Sequence, residues 1–253
     1  MTLHPATPAA TLILYREEGG RDAEHLFVER SAKMVFAAGA VVFPGGRVDP
    51  DDIGLAALYP DLDPEDAAAR VAAIRETVEE AGVAIGFVPA LTTAHLHALR
   101  AALSEGVLLS NWLAAEDYRL DLAALVPWAR WRPNFIETRI FDTRFYIAQA
   151  AADAHPASVD ETENVHLFWS SAADILVREQ AGEVSVIFPT HRNLERLAMV
   201  PRFGDAVSHT RDFPVQMIMP ALVTRDGERY LTIPQNIGYP VTEARLTETK
   251  RGV

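Results

Sequence analysis

The chain of 253 residues contains no cysteine. It therefore forms no disulfide and carries no thiol nucleophile. No apolar run approaches the length of about 18 residues that a membrane-spanning helix needs. No charged segment followed by an apolar run stands at the N-terminus, as a secretory signal would require. A soluble cytoplasmic protein with no membrane partner is the expectation. Basic residues are also few: 23 Lys and Arg stand against 35 Asp and Glu, for a net charge of −12. Nucleic-acid surfaces are basic, so no nucleic-acid partner is expected, although a local pocket can still take an anionic nucleotide bridged by metal ions. The chain has no GXSXG, no P-loop and no GXGXXG, which removes the motifs of esterases, Walker NTPases and dinucleotide reductases. It shows no internal repeat. What it does have is 49% hydrophobic residues, enough for a sizeable core in one large domain or two small ones.

One stretch organises the rest, Ile74-Arg75-Glu76-Thr77-Val78-Glu79-Glu80-Ala81-Gly82-Val83. It reads as the end of a helix. Asp63 suits the N-cap, Pro64 the first helical position, and Glu65 and Asp66 the positive end of the helix dipole. Gly82 is placed to terminate it. At about 100° per residue, Val71, Ile74, Val78 and Ala81 share a face that should pack on the core. Glu76, Glu79 and Glu80 fall on the opposite side, with Ala69, Ala72 and Ala73 leaving little bulk around them. Such carboxylates repel one another and oppose the dipole, so the spacing gains nothing as helix design. A plain solvated acidic face is the competing reading.

The run Val42-Phe43-Pro44-Gly45-Gly46-Arg47-Val48-Asp49-Pro50-Asp51-Asp52 precedes this helix. It reads as a β-run entering a glycine turn, where backbone can approach a ligand closely. Glu76, Glu79 and Glu80 with the carbonyl of Gly45 make an oxygen-rich set. Mg2+ or Mn2+, with waters, fits that set.

Together these features resemble the Nudix hydrolase motif, GX5EX7REUXEEXGU with U a bulky apolar residue. Gly46 fits the first glycine, and Arg75, Glu76, Glu79, Glu80, Gly82 and Val83 fit the end. Asp52 stands where the family has Glu, and Thr77 stands at the first U. Residues 53 to 74 form a 22-residue separation where the pattern has 7. The split box, preceded by Arg30-Ser31, Phe36, Gly39 and Val42–Gly46, resembles the coenzyme A diphosphatase-like branch of the family. Trp131-Arg132-Pro133 and Phe141–Tyr146 extend that likeness over most of residues 10 to 200. The resemblance implies an α/β fold, the Nudix α/β/α sandwich with a mixed sheet. It implies a metal-dependent hydrolase of a small-molecule nucleoside diphosphate derivative. Glu76, Glu79 and Glu80 would serve as metal ligands, and Arg75 as the residue orienting a helix carboxylate, with Asp52 its family-matched partner. Arg30, Phe43, Gly45 and Gly46 would line the substrate, with ordinary surface charge the competing reading for Arg30 and Lys33. Coenzyme A or acyl-coenzyme A is the favoured substrate, with ADP-ribose, NADH, nucleotide sugars and a non-catalytic ligand-sensing role as alternatives.

The remaining chain reads as follows. Residues 1 to 9 are expected to be loosely held. Strands at Thr11–Tyr15 and His25–Val28 should form a hairpin. Val83–Val88 reads as a strand. Residues 92 to 131 read as a helical insert within a single domain of residues 1–253, either a cap over the site or a homodimer contact. Its helices are placed at Ala94–Leu103, Leu108–Ala114 and Leu120–Val126. His95 and His97 would point about 200° apart on such a helix, so packing is the better reading than metal ligation. Trp112, Trp128, Trp131 and Trp169 read as core or pocket walls. A long strand should span Arg139–Ala148 and another Val165–Trp169. Between them lies an acidic loop, in which Glu163, or Asp160 or Glu161, would add a carboxylate to the metal site, and a solvated loop is the competing reading. Ser171 should cap a helix to Gln180, and a second helix should run from His191 to Ala198. Strands near Gln216–Val223 and Tyr230–Ile233 should close the domain, with a mobile tail from Thr242.

Overall fold

The computed structural model describes residues 4–31, 39–133, 140–151, 154 and 164–249. Strand β1 (Thr7–Tyr15) alternates side chains to two faces, and both are buried. Ala10, Leu12 and Leu14 enter one cluster, and Ile13 and Tyr15 enter another. A strand buried on both faces must lie between two layers. In chain order follow β2 (His25–Arg30), β3 (Val41–Val42), β4 (Gly45–Arg47), α1 (Pro50–Ala56), α2 (Pro64–Ala81), β5 (Phe87–Val88), α3 (Thr93–Ser104), α4 (Leu109–Ala115) and β6 (Arg119–Leu120). Then come β7 (Val126–Trp131), β8 (Phe141–Gln149), β9 (Asn164–Ser170), α5 (Ala172–Gln180), α6 (Phe188–Ala198) and α7 (Phe203–Asp212). The C-terminal part holds β10 (Met217–Ile218), β11 (Ala221–Arg225), β12 (Glu228–Thr232) and β13 (Glu243–Arg245).

The main sheet has the order β10-β7-β8-β1-β4 and is mixed: β1–β8 and β7–β10 are parallel, β1–β4 and β7–β8 antiparallel. A second, antiparallel sheet has the order β3-β2-β9. Val71, Ile74 and Val78 of α2 cover one face of β1, and Leu194 and Leu197 of α6 cover the other. The architecture is α/β, with helices on both sides of a mixed sheet. Strands β11, β12 and β13 form a separate antiparallel meander, and β5 pairs with β6.

Several elements differ from expectation. Strands β1 and β2 do not form a hairpin ladder. Both edges of β1 are taken by β8 and β4, both edges of β2 by β3 and β9, and a single bridge, Arg16 to Glu24, joins them. Residues 7–9 are not loose: β1 begins at Thr7, and Val48 N–H donates to the Pro8 carbonyl. Val83–Val88 is a strand only at its end. Gly86 has φ of +75°, and a Cβ there would meet the Asp121 carbonyl at 2.9 Å, so the apolar run turns to bury itself. The helical insert stops short, because β7 starts at Val126 and belongs to the main sheet. Leu120–Val126 is helical only as a 3-10 turn at Leu122–Ala124, between strands that end at Leu120 and begin at Val126, and the buried Arg70 guanidinium donates to the carbonyls of Leu122 and Leu125. The segment after Thr242 pairs with β12 and buries Leu246. Helix α7 has no counterpart among the expected elements.

His191 joins α5 to α6, its Nδ1 bonded to Glu179 at 2.5 Å and its Nε2 to Glu195 at 3.2 Å. Burial pushes the imidazole pKa down, but the two carboxylate bonds outweigh it and lift it from 6.5 to about 9. A raised folded-state pKa stabilises the fold fully below pH 6.5, and that contribution is lost as pH rises through about 9. The unfolding free energy, measured by denaturation from pH 6 to 10, should fall across this window by at most on the order of 3 kcal/mol. His191→Gln should flatten the profile there, and an unchanged slope would refute the assignment.

Candidate active site

Helix α2 has the caps its sequence announces. Asp63 accepts a hydrogen bond from Asp66 N–H, Pro64 opens the first turn, and Gly82 closes the helix at φ 61°. Its alanines let other elements close in on nearly every side. Ala67, Ala68, Ala69, Ala72 and Ala73 are buried, in one cluster with Leu55 and Ala56 of α1. The acidic face is therefore not a solvated one: the Glu76 side chain is only 16% exposed. Thr77, at a position where the motif has an apolar residue, is wholly buried and donates its hydroxyl to the Ala73 carbonyl one turn back. Polarity is thereby satisfied within the helix.

Strand β4 brings the glycine turn under these carboxylates. A Cβ on Gly45 would lie 2.3 Å from the Ala10 carbonyl oxygen, and one on Gly46 would lie 2.3 Å from the Glu76 carboxyl group. Only glycine permits both approaches. Gly45 N–H donates to Glu80 Oε2 at 3.0 Å.

Arg75 sits at the centre. Its Nε and Nη2 donate to the two oxygens of Asp52 at 3.0 and 2.9 Å, a bidentate pair. Nη2 also donates to the Arg47 carbonyl, and Nη1 to Glu76 Oε1 and Glu79 Oε2. Asp52 is completely buried and also accepts from Asp49 N–H in a capping box at the start of α1. The separation of 22 residues does not disturb the pairing, because its residues fold back onto the cluster that contains α2 and leave α1 packed against that helix. Neither does the shorter Asp side chain, because α1 carries Asp52 close to Arg75. The signal for α1 was present in Asp49-Pro50-Asp51-Asp52, a capping residue, a proline at the first helical position and an acid three residues after the cap.

Asp52, Glu76 and Glu79 thus share one guanidinium, and Glu80 lies beside them on the Gly45 amide. Burial raises the Glu76 carboxyl to about 8; Arg75 opposes the rise, and the charges of Glu80 and Glu79 add to it. Burial likewise raises Glu79. Such a set is short of positive charge. Among the described residues no three His, Cys, Asp or Glu side chains stand as a ready-made metal cage, and Arg75 holds one oxygen each of Glu76 and Glu79. The chemistry of the donors still suits a hard divalent cation, which takes carboxylate oxygens and relieves their repulsion.

The other expected residues are more scattered. Phe43 is 3% exposed and packs on Phe27 at 5.0 Å between ring centres, so its side chain belongs to the core and only its main chain can face a ligand. Arg30 is half-buried at a bulge in β2, and its Nε is buried without a hydrogen-bond partner among the described residues. Asp160, Glu161 and Glu163 lie outside the described residues. His95 bonds Thr92 at the start of α3, and among the described residues it belongs to no group of three metal-ligating side chains. Trp128 and Trp131 are core residues, as expected.

The fold is similar to that of a Nudix hydrolase from Alicyclobacillus acidocaldarius, with TM-score 0.70 and 30% identity over 82% of this chain and 97% of that one. The chain belongs to the Nudix hydrolase family. Among curated proteins this Nudix hydrolase is similar to the acyl-coenzyme A diphosphatase NUDT19 of Gallus gallus, 26% identical over 77% of the chain. The protein of that name from Homo sapiens is 27% identical over 71% of it. The chain spans 66% and 62% of the lengths of these two relatives, less than two thirds. No family model matches it. Among the described residues no helix is long and apolar enough to cross a membrane.

A single ammonium cannot reach all the acceptors that surround Arg75. Arg75→Lys should therefore lower unfolding free energy by at least about 2 kcal/mol, the scale of a charged hydrogen bond lost at a buried carboxylate. Chemical denaturation measures this, and wild-type stability would mean that the buried pair contributes nothing.

Proposed function

We propose that this Nudix hydrolase cleaves the diphosphate link of a nucleoside diphosphate joined to a second moiety, with coenzyme A or acyl-coenzyme A favoured. The products would be 3′,5′-ADP and a 4′-phosphopantetheine. The observation that carries the reading is the convergence of Glu76 and Glu79 on Arg75, with Glu76 against Gly46 and Glu80 on the Gly45 amide. Glu76, Glu79 and Glu80, with the Gly45 carbonyl, would hold Mg2+ or Mn2+. When bound, the cation supplies neutralisation of phosphoryl charge and a water of lowered pKa.

The chain's own residues do the rest. Arg75 fixes the carboxylates of Glu76 and Glu79 by one oxygen each, leaving their other oxygens for a ligand. Gly46, lacking a side chain, keeps the space above β4 open to Glu76. Glu163 is proposed as a further carboxylate, taking the proton of the attacking water. Water adds to one phosphorus, and the bridging oxygen leaves with the other phosphate. The substrate class is supported by the two similar acyl-coenzyme A diphosphatases and by the interrupted box.

Glu79→Gln or Glu80→Gln should lower turnover by two or more orders of magnitude with folding intact, since each removes a ligand from a charge-stabilising set. Turnover within about threefold of wild type at saturating Mg2+ would sink the assignment. Mass spectrometry of intact coenzyme A, ADP-ribose, NADH and nucleotide sugars after incubation identifies the substrate. Cleavage of ADP-ribose with coenzyme A ignored would overturn the favoured substrate and leave the family chemistry standing.

Arg30 carries the substrate test further. Coenzyme A has a 3′-phosphate that dephospho-coenzyme A lacks, and an arginine can grip it with parallel bonds. Arg30→Ala should weaken coenzyme A by about 1.5–3 kcal/mol in kcat/KM and spare the dephospho form. Equal losses would assign Arg30 to the diphosphate, and no loss would return it to the surface.

A further inference from the structure

The negative end of α2 carries Glu76, Glu79 and Glu80, yet the last turn contains no basic residue. Acidic side chains there oppose the helix dipole, and the final carbonyls lack intrahelical partners. Gly82 N–H takes the Val78 carbonyl. The next two carbonyls are met from outside the helix. Arg100, half-buried on α3, donates from Nε to the Glu79 carbonyl at 3.0 Å and from Nη2 to the Glu80 carbonyl at 3.4 Å. Its neighbour Leu99 and, a turn on, Leu103 are buried in the cluster that contains α2, which fixes the direction of the arginine.

The same insert grips the site from a second side. Helix α4 has no side-chain cap of its own. Instead Asp51 of α1 accepts from the Ser110 N–H at 3.0 Å and from its hydroxyl at 2.5 Å. Asp51 is the neighbour of Asp52, the buried partner of Arg75. One insert therefore touches the peptide groups of two carboxylate residues and the helix that supplies the buried aspartate.

We propose that Arg100 is a positioning residue of the active site. Its forked guanidinium holds the main chain of Glu79 and Glu80 so that the Glu79 side chain meets Arg75 and the Glu80 side chain meets the Gly45 amide. The helical insert thus acts as a buttress of the carboxylate helix rather than only as a cover over substrate. This rests on the reading of Glu76, Glu79 and Glu80 as the cation ligands. Two physical contributions oppose each other here and can be separated. As a charge, Arg100 repels a cation, so its loss alone would tighten binding. As a fork, it orients ligands, so its loss would weaken binding. Lysine keeps the charge and gives up the fork.

The test is Mn2+ binding to the metal-free protein, read by the electron paramagnetic resonance of free Mn2+, with thermal midpoints as the check on folding. Arg100→Ala is expected to weaken Mn2+ about tenfold, and Arg100→Lys to recover only part of that. The substrate KM at saturating metal should stay within twofold of wild type, while the metal needed for half-maximal rate rises in step with the binding loss. A loss of less than threefold in Arg100→Ala, or tighter binding, overturns the proposal; should that variant not fold, Arg100→Lys decides on the same threefold limit. Glu79→Gln separates the two readings. If it abolishes binding while the Arg100 variants bind as wild type, only the role of Arg100 fails. If it binds Mn2+ as wild type does, the assignment of the ligands fails and the role of Arg100 with it.

Discussion

The ion pair between Arg75 and Asp52 is the constraint on which the site depends. Asp52 is wholly buried and Arg75 is 7% exposed. Removing two charges from water costs several kcal/mol each, and their attraction offsets this only when the geometry is good and the remaining donors are satisfied. Here the guanidinium meets two oxygens of Asp52, the Arg47 carbonyl, Glu76 and Glu79. Those acceptors come from α1, from β4 and from α2 itself. Three elements distant in sequence are therefore pinned to one planar group. Without Asp52, Arg75 would have no reason to stay at this depth, and the two glutamates would lose their common anchor.

Close packing follows from small residues on both sides of that anchor. Alanines along α2 allow α1 to lie against the helix, and glycines in β4 allow Glu76 and Ala10 to approach the strand. The helix is covered over most of its length: Arg70, midway along it, is bound to Asp66 and to the Leu122 and Leu125 carbonyls, and the carboxylates of the site stand toward its C-terminal end. This division explains how a helix bearing three adjacent acids can be so deeply packed: the apolar length supplies burial, and Arg75 and the Gly45 amide satisfy the exposed end.

The interruption of the motif is compatible with the same geometry. Extending a loop raises its closure entropy only slowly with length, and the inserted residues fold into structure of their own. Helix α1 buries Leu55 and Ala56, and Tyr59 donates to the Leu120 carbonyl. The insertion thus contributes packing to the carboxylate helix instead of loosening it.

How much of this was legible from sequence depended on whether the causes were local. The span of α2, with its Asp63 cap, its proline at the first turn and the left-handed Gly82, was determined by residues next to one another. So were the face of Val71, Ile74 and Val78, the shared side of Glu76, Glu79 and Glu80, and the Ser171 cap of α5, because each rests on periodicity or on a bond to the adjacent turn. Strand partners were not determined in that way. The pattern of β1 showed only that it is apolar on both faces, and its neighbours β8 and β4 were chosen by which other chain segments could cover it. The core position of Phe43, the capture of the Leu122 and Leu125 carbonyls by Arg70, and the Asp52–Arg75 pair across 22 residues were likewise decided by tertiary structure. In each, the deciding partner lies tens of residues away, and burial is a property of the assembled layers that no window of sequence contains.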